Sequence, residues 1–266
     1  MFKAVVTDLD GTLLNASEFT RETVELLLQK GIKFYIATGR NYSGAKEAMD
    51  ELGVKIPLIT SNGARIIDEN GNEIFSNNLK REYLDKILDI DYKSFGQNII
   101  ITGYSGSNWF VTEDLKEYFY NKKPDRTRYP QQITPEEFKK QGFTKIFFLG
   151  EEHDELLKLE NEIKRVVGEE NISLLFANEG SLEVFPANCN KAKAAKVVLE
   201  RDGLTLKDAV SFGDGFNDYD LITETGLGFA MENSIYLLLE KLTDTEVIES
   251  NANDGMAKKV RELFDL

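Results

Sequence analysis

The stretch FKAVVTDLDGT, residues 2–12, decides how the fold begins. Residues 2–7 are mostly apolar and β-branched, which is typical of a short buried strand. Asp-Leu-Asp-Gly-Thr follows, and after it comes a helical pattern in which Val24, Leu27 and Leu28 share one face. The sequence therefore predicts a strand, a loop that carries two carboxylates, and a helix.

The same alternation of strand and helix continues along the first third of the chain and returns in the last third. Short, almost continuously apolar strands separated by amphipathic helices are typical of a parallel sheet that is covered on both faces. The predicted elements of the first third are strand 32–37, helix 42–52, strand 57–60 and a hairpin over 64–75. Those of the last third are helix 191–201, strand 209–212, helix 219–224, strand 227–230, helix 234–242, strand 246–249 and a final helix.

The middle third has a different pattern. Strands are predicted at 98–102 and 109–112, paired around a turn at 103–108, and at 145–149 and 173–177, with helices at 83–88 and 155–167. Such paired strands indicate an α+β insertion built on an antiparallel sheet. We therefore expect a doubly wound, mostly parallel α/β core formed by residues 1–80 and 187–266, and an inserted domain at 81–186.

Composition excludes several classes of function. The net charge of −14 disfavours nucleic acids and anionic membranes, because binding to phosphate-coated partners depends on clustered Lys and Arg. No apolar run approaches the roughly 18 residues that span a bilayer, and Asp8 and Asp10 interrupt the N-terminal apolar stretch, so we expect a cytoplasmic protein. A single His, His153, and a single Cys, Cys189, argue against His- or Cys-based catalysis and against zinc. A site built from carboxylates and a hard cation such as magnesium remains possible.

Asp8 and Asp10 are the first candidate catalytic residues. Residues two apart on an extended chain point to the same side, so both carboxylates can face the crevice above the carboxyl ends of the strands. Gly11 then allows a sharp turn. A polar turn with no catalytic role is the alternative, which the position directly after an apolar strand disfavours.

Thr38, Gly39 and Arg40 follow the second predicted strand. A hydroxyl, a backbone without a side chain and a guanidinium suit a tetrahedral oxyanion. On its own this motif fits a phosphate site and a simple turn with a solvent-facing Arg equally well.

Lys191 opens the helix with which the core resumes. A Lys at a helix N-terminus opposes the helix dipole, which makes sense if an anion lies between them. Lys193 and Lys196 are nearby alternatives for this role.

The last motif, Gly-Asp-Gly-Phe-Asn-Asp at 213–218, follows another predicted strand. Asp214 would add a hard oxygen ligand to Asp8 and Asp10, of the kind that octahedral Mg²⁺ prefers. Asn217 and Asp218 could contact the substrate phosphate, the lysine or water bound to the metal. A calcium loop is the competing interpretation, but the later Glu of the EF-hand pattern is missing.

These four motifs, in this order, resemble the haloacid dehalogenase superfamily of phosphotransferases. The Thr-Gly-Arg form of the second motif, Ser-Asn-Gly-Ala at 61–64, Gly-Asp-x-x-Asn-Asp and Asn-Asp-Gly at 253–255 are similar to its Cof-type branch. The resemblance covers the whole chain, and it implies that the insertion is a large α/β cap. Ala192 departs from it, since Gly commonly follows the motif lysine there.

The resemblance implies a magnesium-dependent hydrolase of small phosphorylated metabolites such as sugar phosphates. Asp8 would attack phosphorus, and Asp10 would protonate the leaving group and then activate water. Thr38 and Lys191 would bind the phosphoryl group, and Mg²⁺ would bind the Asp8 carboxylate, the Asp10 carbonyl and Asp214. A phosphomutase uses the same nucleophile and remains the main alternative. A third class, a phosphometabolite sensor without catalysis, would have no need of a nucleophile and an acid.

Overall fold

A computed structural model describes residues 2–14, 17–115 and 129–266. The strands, in chain order, are β1 Ala4–Thr7, β2 Lys33–Ala37, β3 Leu58–Thr60, β4 Arg65–Ile67, β5 Glu73–Ser76, β6 Ile100–Ser105, β7 Asn108–Val111, β8 Gln131–Gln132, β9 Lys145–Leu149, β10 Ile172–Asn178, β11 Ser181–Pro186, β12 Ala209–Gly213, β13 Leu227–Met231 and β14 Glu246–Ile248. The α-helices are α1 Glu18–Gln29, α2 Tyr42–Leu52, α3 Arg81–Leu88, α4 Pro135–Lys139, α5 His153–Val167, α6 Lys191–Arg201, α7 Tyr219–Glu224, α8 Tyr236–Lys241 and α9 Gly255–Phe264.

The chain divides into two compact units. The first runs to Ser76 and resumes at Asn190, and the second spans Asn77–Cys189. The predicted inserted domain, 81–186, lies wholly within the second unit. No helix in the described part of the chain is long and apolar enough to span a membrane.

The first unit is built on a sheet whose described strands lie in the order β14-β13-β12-β1-β2-β3-β4-β5. Strands β14 to β3 are parallel to one another, whereas β4 pairs antiparallel with both β3 and β5 at one edge. The predicted α/β class with a mostly parallel core sheet is therefore confirmed.

Helices cover both faces of this sheet because its central strands are apolar on both sides. In β1, Val5 joins the apolar cluster that includes Leu27 of α1, while Ala4 and Val6 join the opposite cluster, which includes Val198 of α6. This alternation is what a doubly wound sheet requires. It leaves the carboxyl ends of β1, β2 and β12 side by side, where loops carry the polar motifs.

The second unit has a sheet with the order β10-β11-β9-β6-β7-β8 among the described residues. Its pairs are antiparallel except for β7 with β8. One apolar cluster joins α3 and α5 to the sheet, with Leu84, Leu159 and Phe148 fully buried in it.

Some sequence-based boundaries in this unit were wrong. The turn predicted at 103–108 is only Gly106 and Ser107, because β6 and β7 pair up to Ser105 and Asn108, and Gly106 has the positive φ of +58° that such a tight turn favours. Strand β11 was not predicted at all, although it lies between β10 and β9. Its central Glu183 interrupts the apolar pattern, and in the structure that carboxylate is buried against Lys145 at 2.7 Å.

Candidate active site

Asp8 stands at the carboxyl end of β1, in the middle of the core sheet. Its backbone N–H still donates to the carbonyl of Phe212 at 2.9 Å, so the ladder between β1 and β12 fixes its position. The residue is only 5% exposed. The chain then turns at Gly11, whose φ is +79° and where a Cβ would overlap the carboxylate of Asp214. Only glycine satisfies both conditions without strain.

A group of three carboxylates forms at the ends of β1 and β12. Asp8, Asp214 and Asp218 each offer one oxygen, and these oxygens lie within 4.8 Å of one another. The hydroxyl of Thr12 donates to Asp214 at 3.0 Å and ties the loop after β1 to the loop after β12. The carboxylate of Asp10 is not part of this group, because its side chain turns to Arg40 instead.

Lys191 is fully buried between two of these carboxylates. Its ammonium donates to Asp8 and, at 2.6 Å, to Asp218. Helix α6 presents it there: Asn190 caps the helix by accepting from the N–H of Lys193 at 2.8 Å, so the first helical residue faces the sheet. Lys193 itself is exposed, and the structure thus brings Lys191, rather than its neighbour, to Asp8.

Asp218 organises the loop of the last motif. One of its oxygens accepts the ammonium of Lys191, and the other accepts the backbone N–H groups of Asp214 and Gly215 at 3.1 and 2.9 Å. Asp218 is completely buried, and its carboxylate holds both Lys191 and the backbone segment that carries Asp214.

The electrostatic balance of the group is negative. Burial raises the pKa of Asp8 well above its ordinary value even though Lys191 opposes the shift. Burial and then the charge of Asp218 raise the pKa of Asp214 to about 6. Burial alone would lower the pKa of Lys191, but the charges of Asp218 and Asp8 outweigh it and raise that pKa. One ammonium among three carboxylates leaves excess negative charge, and hard oxygen donors with such an excess fit a divalent cation.

The second motif lies beside this group, at the end of β2. Thr38 is fully buried, and its hydroxyl accepts the N–H of Arg40 at 3.1 Å. The guanidinium of Arg40 forms a two-pronged ion pair with Asp10, with Nη2 at 2.6 Å from Oδ1 and Nε at 2.8 Å from Oδ2. The sequence predicts that Arg40 binds the substrate phosphate, whereas in the structure its guanidinium binds Asp10.

Asn62 is a site residue that the sequence alone did not identify. Its Oδ1 accepts from Nδ2 of Asn217 at 2.9 Å, and it lies 3.0 Å from where a Cβ on Gly39 would be. Asn62 and Ser61 both have positive φ values, 53° and 51°, which Asn tolerates better than most residues. The sequence signal was present in the Ser-Asn-Gly stretch after β3, but it gave no indication of the partner.

Comparisons with known proteins identify the family of this chain. The family described as haloacid dehalogenase-like hydrolase matches residues 5–260. The chain belongs to this family. A protein of Buchnera aphidicola subsp. Baizongia pistaciae, named as a candidate phosphatase, is 35% identical over 99% of this chain and 99% of its own. The HMP-PP phosphatase of Escherichia coli K12 is 28% identical over 100% of this chain and 97% of its own.

Among solved structures, a haloacid dehalogenase-like hydrolase from Bacteroides thetaiotaomicron superposes with a TM-score of 0.81 at 26% identity, over 99% of this chain and 100% of its own. Haloacid dehalogenase-like membership and phosphatase class are thus established for this chain, as its four motifs predict.

Proposed function

We propose that this phosphatase hydrolyses small phosphate monoesters, such as sugar phosphates or similar metabolites, with Mg²⁺ and through an aspartyl-phosphate intermediate on Asp8. The observation that carries the proposal is the setting of the Asp8 carboxylate. It is buried at the end of β1, bonded to the ammonium of Lys191 and grouped with Asp214. A carboxylate held in place beside a cation is positioned for attack on phosphorus.

The reaction divides into two steps whose atoms balance. In the first, an oxygen of Asp8 bonds to phosphorus, the bond from phosphorus to the leaving oxygen breaks, and Asp10 gives that oxygen its proton. In the second, water attacks phosphorus, its proton passes to Asp10, and the bond from phosphorus to Asp8 breaks. Proton transfer of this kind contributes about 10² to 10⁴ in rate.

Charge neutralisation comes from Lys191 and from a metal ion. The carboxylates of Asp8 and Asp214 and the carbonyl of Asp10 would hold Mg²⁺, which, when bound, offsets negative charge on the phosphoryl group and on the carboxylates. Asp218 already satisfies Lys191 and two backbone N–H groups, so we assign it to holding the lysine and the loop rather than the metal.

The phosphoryl oxygens would be bound by the hydroxyl of Thr38, the backbone of Gly39, the amide of Asn217 and Lys191. Asn217 is supported in this role by its bond to Asn62, which fixes the orientation of the amide. These groups would contact only the phosphoryl group and not the rest of the substrate. We therefore assign specificity for the leaving group to the inserted unit, Asn77–Cys189, acting as a cap. The net charge of −14 disfavours a nucleic acid as the substrate, and we assign the enzyme to the cytoplasm.

The test is phosphate release from a panel of sugar phosphates, nucleotides and glycerol phosphate, using metal-free protein with and without added Mg²⁺. We expect release only with Mg²⁺, and a drop of at least about 10² to 10⁴ in Asp8→Asn. Asp50→Asn, which removes an exposed carboxylate on α2, is the matched control and should retain activity. Isomerised ester would point to a mutase, and tight binding without turnover to a sensor. Full activity in Asp8→Asn would refute the covalent route.

A further inference from the structure

The backbone of Arg40 is held on both sides, and its side chain is less exposed than the carboxylate that it binds, at 35% against 55%. Its backbone N–H donates to the hydroxyl of Thr38, and its carbonyl accepts the N–H of Ser61 at 2.8 Å. Asp10 sits on the loop after β1 with its side chain 55% exposed, and both of its carboxylate oxygens accept from Arg40. With its backbone held, Arg40 is the partner of this pair that can orient the other.

Proton transfer in the proposed reaction needs this orientation. An exposed Asp side chain can occupy several rotamers, and a donor group works only when it is within hydrogen-bond reach of the reacting oxygen. A planar guanidinium that binds both oxygens fixes the position and the plane of the carboxylate. Because a carboxylate offers about four lone pairs and Arg40 uses one on each oxygen, each oxygen keeps one for the transferred proton.

We propose that Arg40 is a positioning residue for Asp10, and that it acts on the reaction by holding the general acid and base rather than by binding the substrate phosphate. The proposal rests on the function proposed above. It gives the second motif two separate tasks: Thr38 and Gly39 face the phosphoryl group, while Arg40 serves the proton transfer.

A pair of substrates separates the two roles of Arg40. The value of kcat/KM reports the steps up to departure of the leaving group. An alkyl phosphate needs a proton on that group, whereas 4-nitrophenyl phosphate has a leaving group that departs without one. A residue that acts through Asp10 therefore matters for the first ester and little for the second. A phosphate ligand matters equally for both.

The variants are Arg40→Gln, Arg40→Lys, Asp10→Asn and the double variant Arg40→Gln with Asp10→Asn. The matched control is Arg201→Gln, which removes an exposed arginine paired with Glu69 elsewhere in the same unit. The Arg40–Asp10 pair is partly exposed and such pairs add little stability, so we expect Tm to change by less than about 3 °C in every variant.

For the alkyl ester we expect kcat/KM to fall by roughly 10- to 100-fold in Arg40→Gln, because misplacing a reacting group by about 1 Å has effects of that size. For 4-nitrophenyl phosphate the loss should stay below about threefold. Arg40→Lys should restore little, since an ammonium cannot fork across both oxygens. In the Asp10→Asn background, Arg40→Gln should add less than about a threefold change.

Equal losses on the two esters, a weaker inhibition by inorganic phosphate in Arg40→Gln, or multiplicative losses in the double variant would each overturn the assignment of Arg40 and leave the proposed hydrolase intact. A wild-type protein that releases no phosphate from either ester would overturn the proposed function, and the assignment of Arg40 with it. The two failures are thus distinguishable.

Discussion

Lys191 offers the most direct test of how the buried charges hold the site together. Its side chain is 0% exposed, and its ammonium bonds to the carboxylates of Asp8 and Asp218. Replacing it with Met keeps most of the volume and removes the charge. Two buried carboxylates then lose their common cation, and Asp214 stands beside them with a pKa already raised to about 6.

The cost of this change can be estimated from the burial. Removing one partner of a buried ion pair lowers the free energy of unfolding by about 3–5 kcal/mol, because the remaining charge is left uncompensated. At about 2–4 °C per kcal/mol for a unit of this size, the Tm of metal-free Lys191→Met should fall by about 10 °C at pH 7.5. Adding Asp218→Asn should recover part of that loss, since it removes one of the two stranded charges.

The assay is thermal unfolding of EDTA-treated protein, followed by circular dichroism. The control is Lys193→Met, which makes the same substitution at an exposed position on the same helix and should shift Tm by less than about 2 °C. Equal shifts in Lys191→Met and Lys193→Met, or a double variant less stable than Lys191→Met alone, would refute the view that Lys191 is the charge that balances the site.

Three further predictions follow from the same geometry. The pKa of Asp214 is raised from its ordinary 3.8 to about 6, so between these pH values the folded state binds more protons than the unfolded state. The contribution of Asp214 to the free energy of unfolding is therefore most favourable below about pH 4. The Tm of metal-free protein should fall as the pH rises through 6, and it should fall less in Asp214→Asn. Gly11→Ala should lower kcat/KM at least about 10-fold and weaken activation by Mg²⁺. The control is Gly31→Ala, which should leave kcat/KM unchanged because Gly31 has a similar φ of +78° but no atom within 4 Å of the new Cβ. Ca²⁺, titrated at limiting Mg²⁺ and constant ionic strength, should inhibit phosphate release because it favours bidentate carboxylates and would occupy both oxygens of Asp8; undiminished activity with Ca²⁺ alone would contradict this.

The core sheet was readable from the sequence because its strands are apolar on both faces. Val5 and Val210, for example, lie in short apolar runs that have few other stable placements. Strand β11 could not be predicted because a charged residue, Glu183, interrupts its apolar pattern. Glu183 is buried in this strand against Lys145, which is far away in the chain, and no local pattern indicates such a pair.

In the candidate site, too, some contacts could be predicted from the sequence and others could not. Asp8 and Asp214 could be placed near each other because each follows an apolar strand, and carboxyl ends of parallel strands meet at one edge. The choice of Lys191 over Lys193 needed the start and the rotation of α6, which bury Lys191 and leave Lys193 exposed. The bond between Asn62 and Asn217 joins two loops with positive-φ or glycine-rich backbone, whose paths local propensity does not determine.

The pairing of Arg40 with Asp10 shows which missing information mattered most. From the sequence, Thr-Gly-Arg fits a phosphate site or a solvent-facing turn, because the residue types alone are compatible with both. The register of β1 and β2 adds what the residue types lack: Thr7 lies beside Ile36, so the two chains leave the sheet as neighbours, and the loops that follow bring Arg40 to Asp10. The guanidinium of Arg40 there binds both carboxylate oxygens of Asp10. Strand order and register, which are properties of the whole sheet, thus decide the partner of Arg40.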